Sequence, residues 1–172
     1  VYAVSKIYNE HQAEWYNRSY QMAITGVRPA NVTGPDKVRG SLDHVQCITQ
    51  PARGRPIQFP FRDAMRLPIH VEDIAEVFVR VTLAESTHYP IYNSGGESIS
   101  LGQLADLVTH YLPDAQITFG QNEGGRETSG LYLMDNTRLL QEFEVQYAPF
   151  AQRVLEIVNE VRKVEGLPLV GG

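Results

Sequence analysis

Tyr2 and Lys6 stand four residues apart in the opening stretch VYAVSKIYNE. Residues i and i+4 share one face of a helix. A lysine ammonium beside a tyrosine hydroxyl favours the phenolate and lowers a pKa that starts at roughly 10. A tyrosine tuned in this way takes a proton from an alcohol, or returns one, near neutral pH. The spacing alone equally fits an ordinary amphipathic helix carrying an exposed lysine.

Other chemistry-bearing types are read as structural. His70 and Asp73 lie in HVEDIA, a strand-to-helix junction where Asp73 suits the helix start. Glu97 and Asp135 are also taken as structural. No His, Cys and carboxylate grouping has metal-ligand spacing, so no metal site is expected. The short glycine turns SGGE and EGGR lack the strand-to-helix context of a phosphate cradle, and no Gly-x-x-Gly-x-x-Gly run is present.

These residues need elements to position them. Val4, Ile7, Tyr8, His11 and Trp15 trace a helical stripe over residues 2 to 19. MAITGVRP reads as a strand ended by Pro29, and ANVTGPDKVRG as loop. VRGSLDHVQCITQ groups Leu42, Val45 and Ile48 on a helix, and short extended pieces surround Ile57 and Ile69. VEDIAEVFVRVTLAES is the clearest helix, apolar at Ile74, Val77, Phe78 and Val81, with Glu72 and Asp73 at its positive end. YPIYNSGG and AQITFG read as short strands. Between these two strands, Ser100 and Gln103 form a capping box before a helix apolar at Leu104, Leu107, Val108 and Tyr111. The loop QNEGGRETSG precedes a short helix in DNTRLLQEF. A final helix runs from about Phe150 to Lys163 with Val154, Ile157, Val158 and Val161 inward, and PLVGG reads as a frayed tail. Helices alternating with short strands make the class α/β.

At 172 residues the chain suits one domain with a true core. Its net charge of −5, without basic clustering, speaks against a nucleic-acid partner. No apolar run approaches the roughly 18 residues of a membrane span. A single cysteine, Cys47, forms no internal disulfide and fits a buried thiol in a reduced, cytoplasmic protein.

YAVSK, VRPANVTGP, LPIHVEDIAEVFV and IYNSGGESISLGQLADLV follow one another in an order and approximate spacing that resembles the extended short-chain dehydrogenases, the group of NAD-dependent epimerases, dehydratases and reductases. YxxxK alone is common, but the four in series are specific, and the resemblance runs from Tyr2 to the last helix. It implies an α/β chain forming the C-terminal portion of a Rossmann-like NAD(P)-binding fold with the substrate-binding lobe, lacking the N-terminal Gly-rich half. Residues 1–172 would then be a single partial domain. Residues 1–35 would hold the Tyr–Lys helix and a sheet strand, and residues 36–172 mostly the substrate lobe and C-terminal helices.

The resemblance also implies roles. Tyr2 matches the catalytic acid–base, and Lys6 the residue that tunes it and holds the nicotinamide ribose of NAD or NADP. The backbone at Pro29 and Ala30 would touch the carboxamide, and Asn31 would reach substrate, or else serve the turn. Arg66 and Arg126 match a pair of arginines on a substrate diphosphate, where bidentate charge-assisted contacts make sense; the alternative is two solvated surface arginines. The Arg66-Leu67-Pro68 order departs from the family's frequent Arg-Asp, which counts against a nucleotide sugar.

Three possibilities stay open: part of an NAD(P)-dependent enzyme acting on a sugar or sugar nucleotide and inactive alone, a stand-alone binding module, or an oligomeric remnant without activity. The strand in MAITGVRP would present unpaired backbone groups, so a homo-oligomer or a chain supplying the missing half is expected as partner.

Overall fold

The structure is a computed structural model, and it describes residues 1–120 and 133–171. Among these, six helices and eight short strands alternate along the chain. Helix α1 spans Tyr2–Tyr20, followed by strands β1 (Gly26–Arg28) and β2 (Asn31–Thr33) and helix α2 (Asp43–Ala52). Strands β3 (Ile57–Phe59), β4 (Met65–Arg66) and β5 (Pro68–His70) lead into α3 (Val71–Leu83). Then come β6 (Ile91–Asn93), β7 (Ile99–Ser100), α4 (Leu101–Tyr111), β8 (Ile117–Phe119), α5 (Thr137–Phe143) and α6 (Phe150–Val164).

The strands pair two by two. β1 runs parallel to β6, β2 to β5 and β3 to β8, while β4 and β7 are antiparallel. The first strand is shorter than MAITGVRP: pairing begins only at Gly26, because the Ile24 N–H and carbonyl are taken by Asn17, and it ends as expected before Pro29, which has no N–H to continue a ladder. Residues 31–33, expected as loop, form β2. Val32 and Thr33 are β-branched and find a buried partner strand in Ile69 and His70. Thr33 is itself buried, and its hydroxyl donates to the Asn31 carbonyl.

Two apolar cores hold these elements. The larger gathers Cys47, Ile48, Leu104, Val108, Val154, Ile157 and Val158, so α2, α4 and α6 pack together against β3 and β8. The smaller gathers Ile69, Ile74, Val77, Tyr92 and Leu139 under β5, β6 and α3. The capping box forms as its sequence implies, with Ser100 and Gln103 each bonding the other's backbone. Phe78 departs from the expected α3 stripe and stays exposed on its flank, while Ile74, Val77 and Val81 are buried. The PLVGG tail does not fray at Val170: its N–H and carbonyl both bond the Asn159 amide at 2.9 and 3.0 Å.

Helix α1 is different in kind. It forms over the expected residues, yet none of them is buried. The stripe read from the sequence faces solvent, with Val4 69% and Trp15 54% exposed. Among the described residues, no helix is long and apolar enough to cross a membrane.

Asp73 plays a larger part than starting α3. The α3 cap is His70, whose Nδ1 accepts from the Glu72 N–H at 3.3 Å. Asp73 is buried and accepts from Arg153 of α6 at 2.6 Å, joining the two cores. Removing one partner of a buried pair strands the other charge. Arg153→Met is therefore expected to lose about 3–5 kcal/mol in urea unfolding. The exposed Arg18–Glu14 pair is the contrast, and Arg18→Met is expected to lose under about 1 kcal/mol.

Candidate functional site

Five of the seven residues proposed from sequence meet in one place. Tyr2 and Lys6 of α1 line a cleft of about 700 Å³ together with Pro29, Ala30 and Asn31. The Lys6 ammonium lies 5.3 Å from the centroid of the Tyr2 ring. The Tyr2 side chain is 75% exposed, open to whatever enters. Arg66 lies elsewhere, and Arg126 falls outside the described residues.

Since α1 buries nothing, polar contacts must hold it over the cleft. Glu10 sits one further i+4 step from Lys6 and takes Arg28 in a two-pronged pair, Nε to Oε1 at 2.7 Å and Nη2 to Oε2 at 2.6 Å. This hydrogen bond holds the Glu10 carboxyl below its ordinary range and raises Arg28. Further along, Asn17 donates to the Ile24 carbonyl at 2.8 Å and accepts from its N–H at 2.9 Å. The first contact ties the Tyr–Lys face to the end of β1, directly before Pro29. Sequence reading missed both residues, although Tyr2, Lys6 and Glu10 continue one four-residue rhythm.

The floor is set by Ser94. Its hydroxyl accepts the Ala30 N–H at 2.9 Å, and its carbonyl accepts from Asn136 at 3.0 Å and from the Tyr147 hydroxyl at 2.5 Å. Gly95 follows with φ of 69°, where an added Cβ would collide with Asn136. Only glycine suits such a crossing. Asn31 is fixed by its own oxygen, which accepts the Leu67 N–H at 2.9 Å. Its amide hydrogens are what it has left to offer.

Arg66 is buried and committed. Its Nε and Nη2 both donate to the Asp43 carboxylate and its Nη1 to the Met65 carbonyl at 2.6 Å. Asp43 also accepts from the His44 N–H at 2.8 Å and from the Ser41 hydroxyl at 3.1 Å. Burial alone would push the Asp43 carboxyl up, but hydrogen bonds from His44 and Arg66 outweigh it and hold it well below the usual range. This ion pair stands behind the cleft wall, where Ser41 is part of the lining.

Other polar groups have structural partners. His70, Glu72 and Glu156 each bring a possible ligand atom within 4.8 Å of the others. The Arg153 guanidinium already bonds both carboxylates, at 2.9 and 2.7 Å, and supplies the cation there. Burial, with Arg153 adding to it, holds His70 below its ordinary pKa. Asp135 accepts from the Thr137 N–H at 3.0 Å, and burial pushes the Cys47 thiol up to about 12.

The depressed Asp43 carboxyl makes a signed prediction. Its stabilisation is complete above 3.8, the ordinary value, and drains away as pH falls from there towards the lowered native pKa. Thermal melts of Asp43→Asn and the unaltered protein are expected to differ most near neutrality and to approach each other below pH 3.8.

Comparison with known proteins identifies the family and the fold. The family model described as NAD dependent epimerase/dehydratase matches residues 1–95. UDP-glucuronic acid 4-epimerase from Bacillus cereus, solved with UDP-glucuronic acid and NAD, superposes with a TM-score of 0.76 at 17% identity, covering 95% of this chain and 52% of that one. UDP-glucose 4-epimerase from Thermus thermophilus, solved with NAD, gives 0.75 at 21% identity, over 94% and 53%. L-threonine dehydrogenase from Phytophthora infestans gives 0.79 at 14% identity, over 93% and 55%. At these identities the likeness shows the fold: α/β, the C-terminal portion of a Rossmann-like epimerase fold. The chain spans about half the length of these structures. No curated protein matches it by sequence.

Proposed function

Since the chain belongs to the NAD dependent epimerase/dehydratase family, we propose that it is the substrate-binding part of an NAD(P)-dependent epimerase, dehydratase or reductase. Its substrate is a hydroxyl compound of the sugar or sugar-nucleotide class, and it is inactive on its own. The observation that carries this reading is the cleft itself, where Tyr2, Lys6, Pro29, Ala30 and Asn31 share one wall system.

The residues present fit a nicotinamide group in part. Lys6 offers an ammonium to a ribose hydroxyl. The Ala30 N–H is already spent on Ser94 and Pro29 has none, so this segment meets a carboxamide through carbonyl oxygens, which accept from its NH2. When bound, NAD(P) supplies the hydride acceptor. Tyr2, reacting as the phenolate, would take the hydroxyl proton and become the neutral phenol, with Lys6 placing positive charge beside the ring, and Asn31 would direct its amide hydrogens to substrate. General acid–base groups of this sort contribute about 10²–10⁴ in rate. Residues 36–172 act mostly as the substrate lobe.

Two surfaces support a partner. Among the described residues β1 pairs with β6 alone, leaving one edge open, and α1 presents Val4, Ile7, Tyr8 and Trp15 to solvent. Open edges and large apolar faces are normally covered. The cover proposed here is a chain supplying the Gly-rich half or a second copy.

Reconstitution tests this. Adding a polypeptide that carries a Gly-rich nucleotide-binding half is expected to create NAD(P) binding, measured by calorimetry, and oxidation of a sugar substrate that Tyr2→Phe lowers about 10²–10⁴-fold. Micromolar NAD(P) binding by the chain alone, or reconstituted turnover indifferent to Tyr2→Phe, contradicts it.

A further inference from the structure

The same cleft contains a cation that the family-based roles leave unused. Lys37 lies in the loop after β2 and lines the cleft with Tyr2, Lys6 and Asn31. Its turn is anchored: the Lys37 N–H donates to the Gly34 carbonyl at 3.4 Å, and Gly34 is packed so tightly on Val71 that an added Cβ would lie 3.0 Å from Val71 Cγ1. Among the described residues the Lys37 ammonium has no hydrogen-bond or ion-pair partner. Asp43 attracts it without reaching contact, being occupied by Arg66 and His44.

Charge in the cleft points the same way. Its lining carries three cations, Lys6, Arg28 and Lys37, against one carboxylate, Glu10. Arg28 and Glu10 cancel in their two-pronged pair. Two ammonium groups remain uncompensated in a chain whose net charge is −5. Partial burial disfavours the Lys37 ammonium and pushes it below its ordinary pKa. An anion in the cleft relieves both conditions. Arg66, fully engaged with Asp43 behind the wall, does not supply that charge in this arrangement.

We propose that Lys37 is the substrate-anchoring residue of the cleft, holding an anionic group, phosphate or carboxylate, of the small molecule whose hydroxyl faces Tyr2. This rests on reading the cleft as the substrate cleft. Lys37 thereby sets specificity, because a neutral substrate leaves its ammonium uncompensated while an anionic one makes a charge-assisted bond.

The chain has three lysines, Lys6, Lys37 and Lys163, which makes the test direct. Reductive ¹³C-methylation retains their charge and gives each a resolvable NMR signal, assigned by Lys→Arg variants. The full chain is titrated with inorganic pyrophosphate and, separately, with malonate. The Lys37 signal is expected to move saturably while Lys163, exposed near the end of α6, follows ionic strength alone. Lys37→Met is expected to weaken probe binding about tenfold, the loss of one charge-assisted contact, with Lys163→Met unchanged. Saturation at lower pyrophosphate than malonate identifies a phosphate, and the reverse a carboxylate. A Lys37 signal that tracks Lys163, or a Lys37→Met variant that binds like the parent, overturns the proposal. Dinucleotide binding on reconstitution uses no lysine variant, so failure there and failure here are separate results.

Discussion

The Glu10–Arg28 pair is the constraint on which the site depends. Helix α1 carries Tyr2 and Lys6 and buries none of its residues. Apolar packing therefore cannot fix its angle or register over the cleft. What does fix them is a two-pronged carboxylate–guanidinium contact at the end of β1, with the Asn17–Ile24 bonds as a second point along the helix. Half-exposed pairs of this kind contribute on the order of 1 kcal/mol. Their geometry matters more than their energy, because two parallel hydrogen bonds define an orientation as well as a distance.

The rest of the cleft rests on firmer ground. Ser94 gathers Ala30, Asn136 and Tyr147 around one residue, and Leu67 holds Asn31. Leu67 and Ser94 lie at the ends of β5 and β6, next to the smaller core, and Asp73–Arg153 joins that core to the helices of the larger one. The cleft thus has one wall built on buried strands and another, α1, held by polar contacts alone. Among the described residues, β1 on that side pairs with β6 alone.

Much of this was legible in the sequence where the signal is local. The i+4 spacing placed Tyr2 and Lys6 on one helix face, the Ser100–Gln103 pattern formed its capping box, and α6 buries Val154, Ile157, Val158 and Val161 as their period implies. The misses are long-range. β2 exists because Pro68–His70 lies beside it, which no feature of residues 31–33 announces. Arg66 meets Asp43 from 23 positions away, and Arg28 meets Glu10 from 18, so spacing could identify the residues but not their partners. The exposed stripe of α1 shows the converse: periodicity marks an apolar face, and burial depends on what the chain brings to cover it. Val170 was read as tail because Asn159 lies 11 residues away on α6.

Amide hydrogen exchange across α1, in the parent chain, Glu10→Gln, Arg28→Lys and the double variant, tests the central claim most directly. The account predicts that each single change speeds exchange along α1 about fivefold, equivalent to about 1 kcal/mol. The double variant then goes no further, and α2, α4 and α6 keep their protection. Unchanged α1 exchange in both single variants, or additive effects in the double, would contradict it.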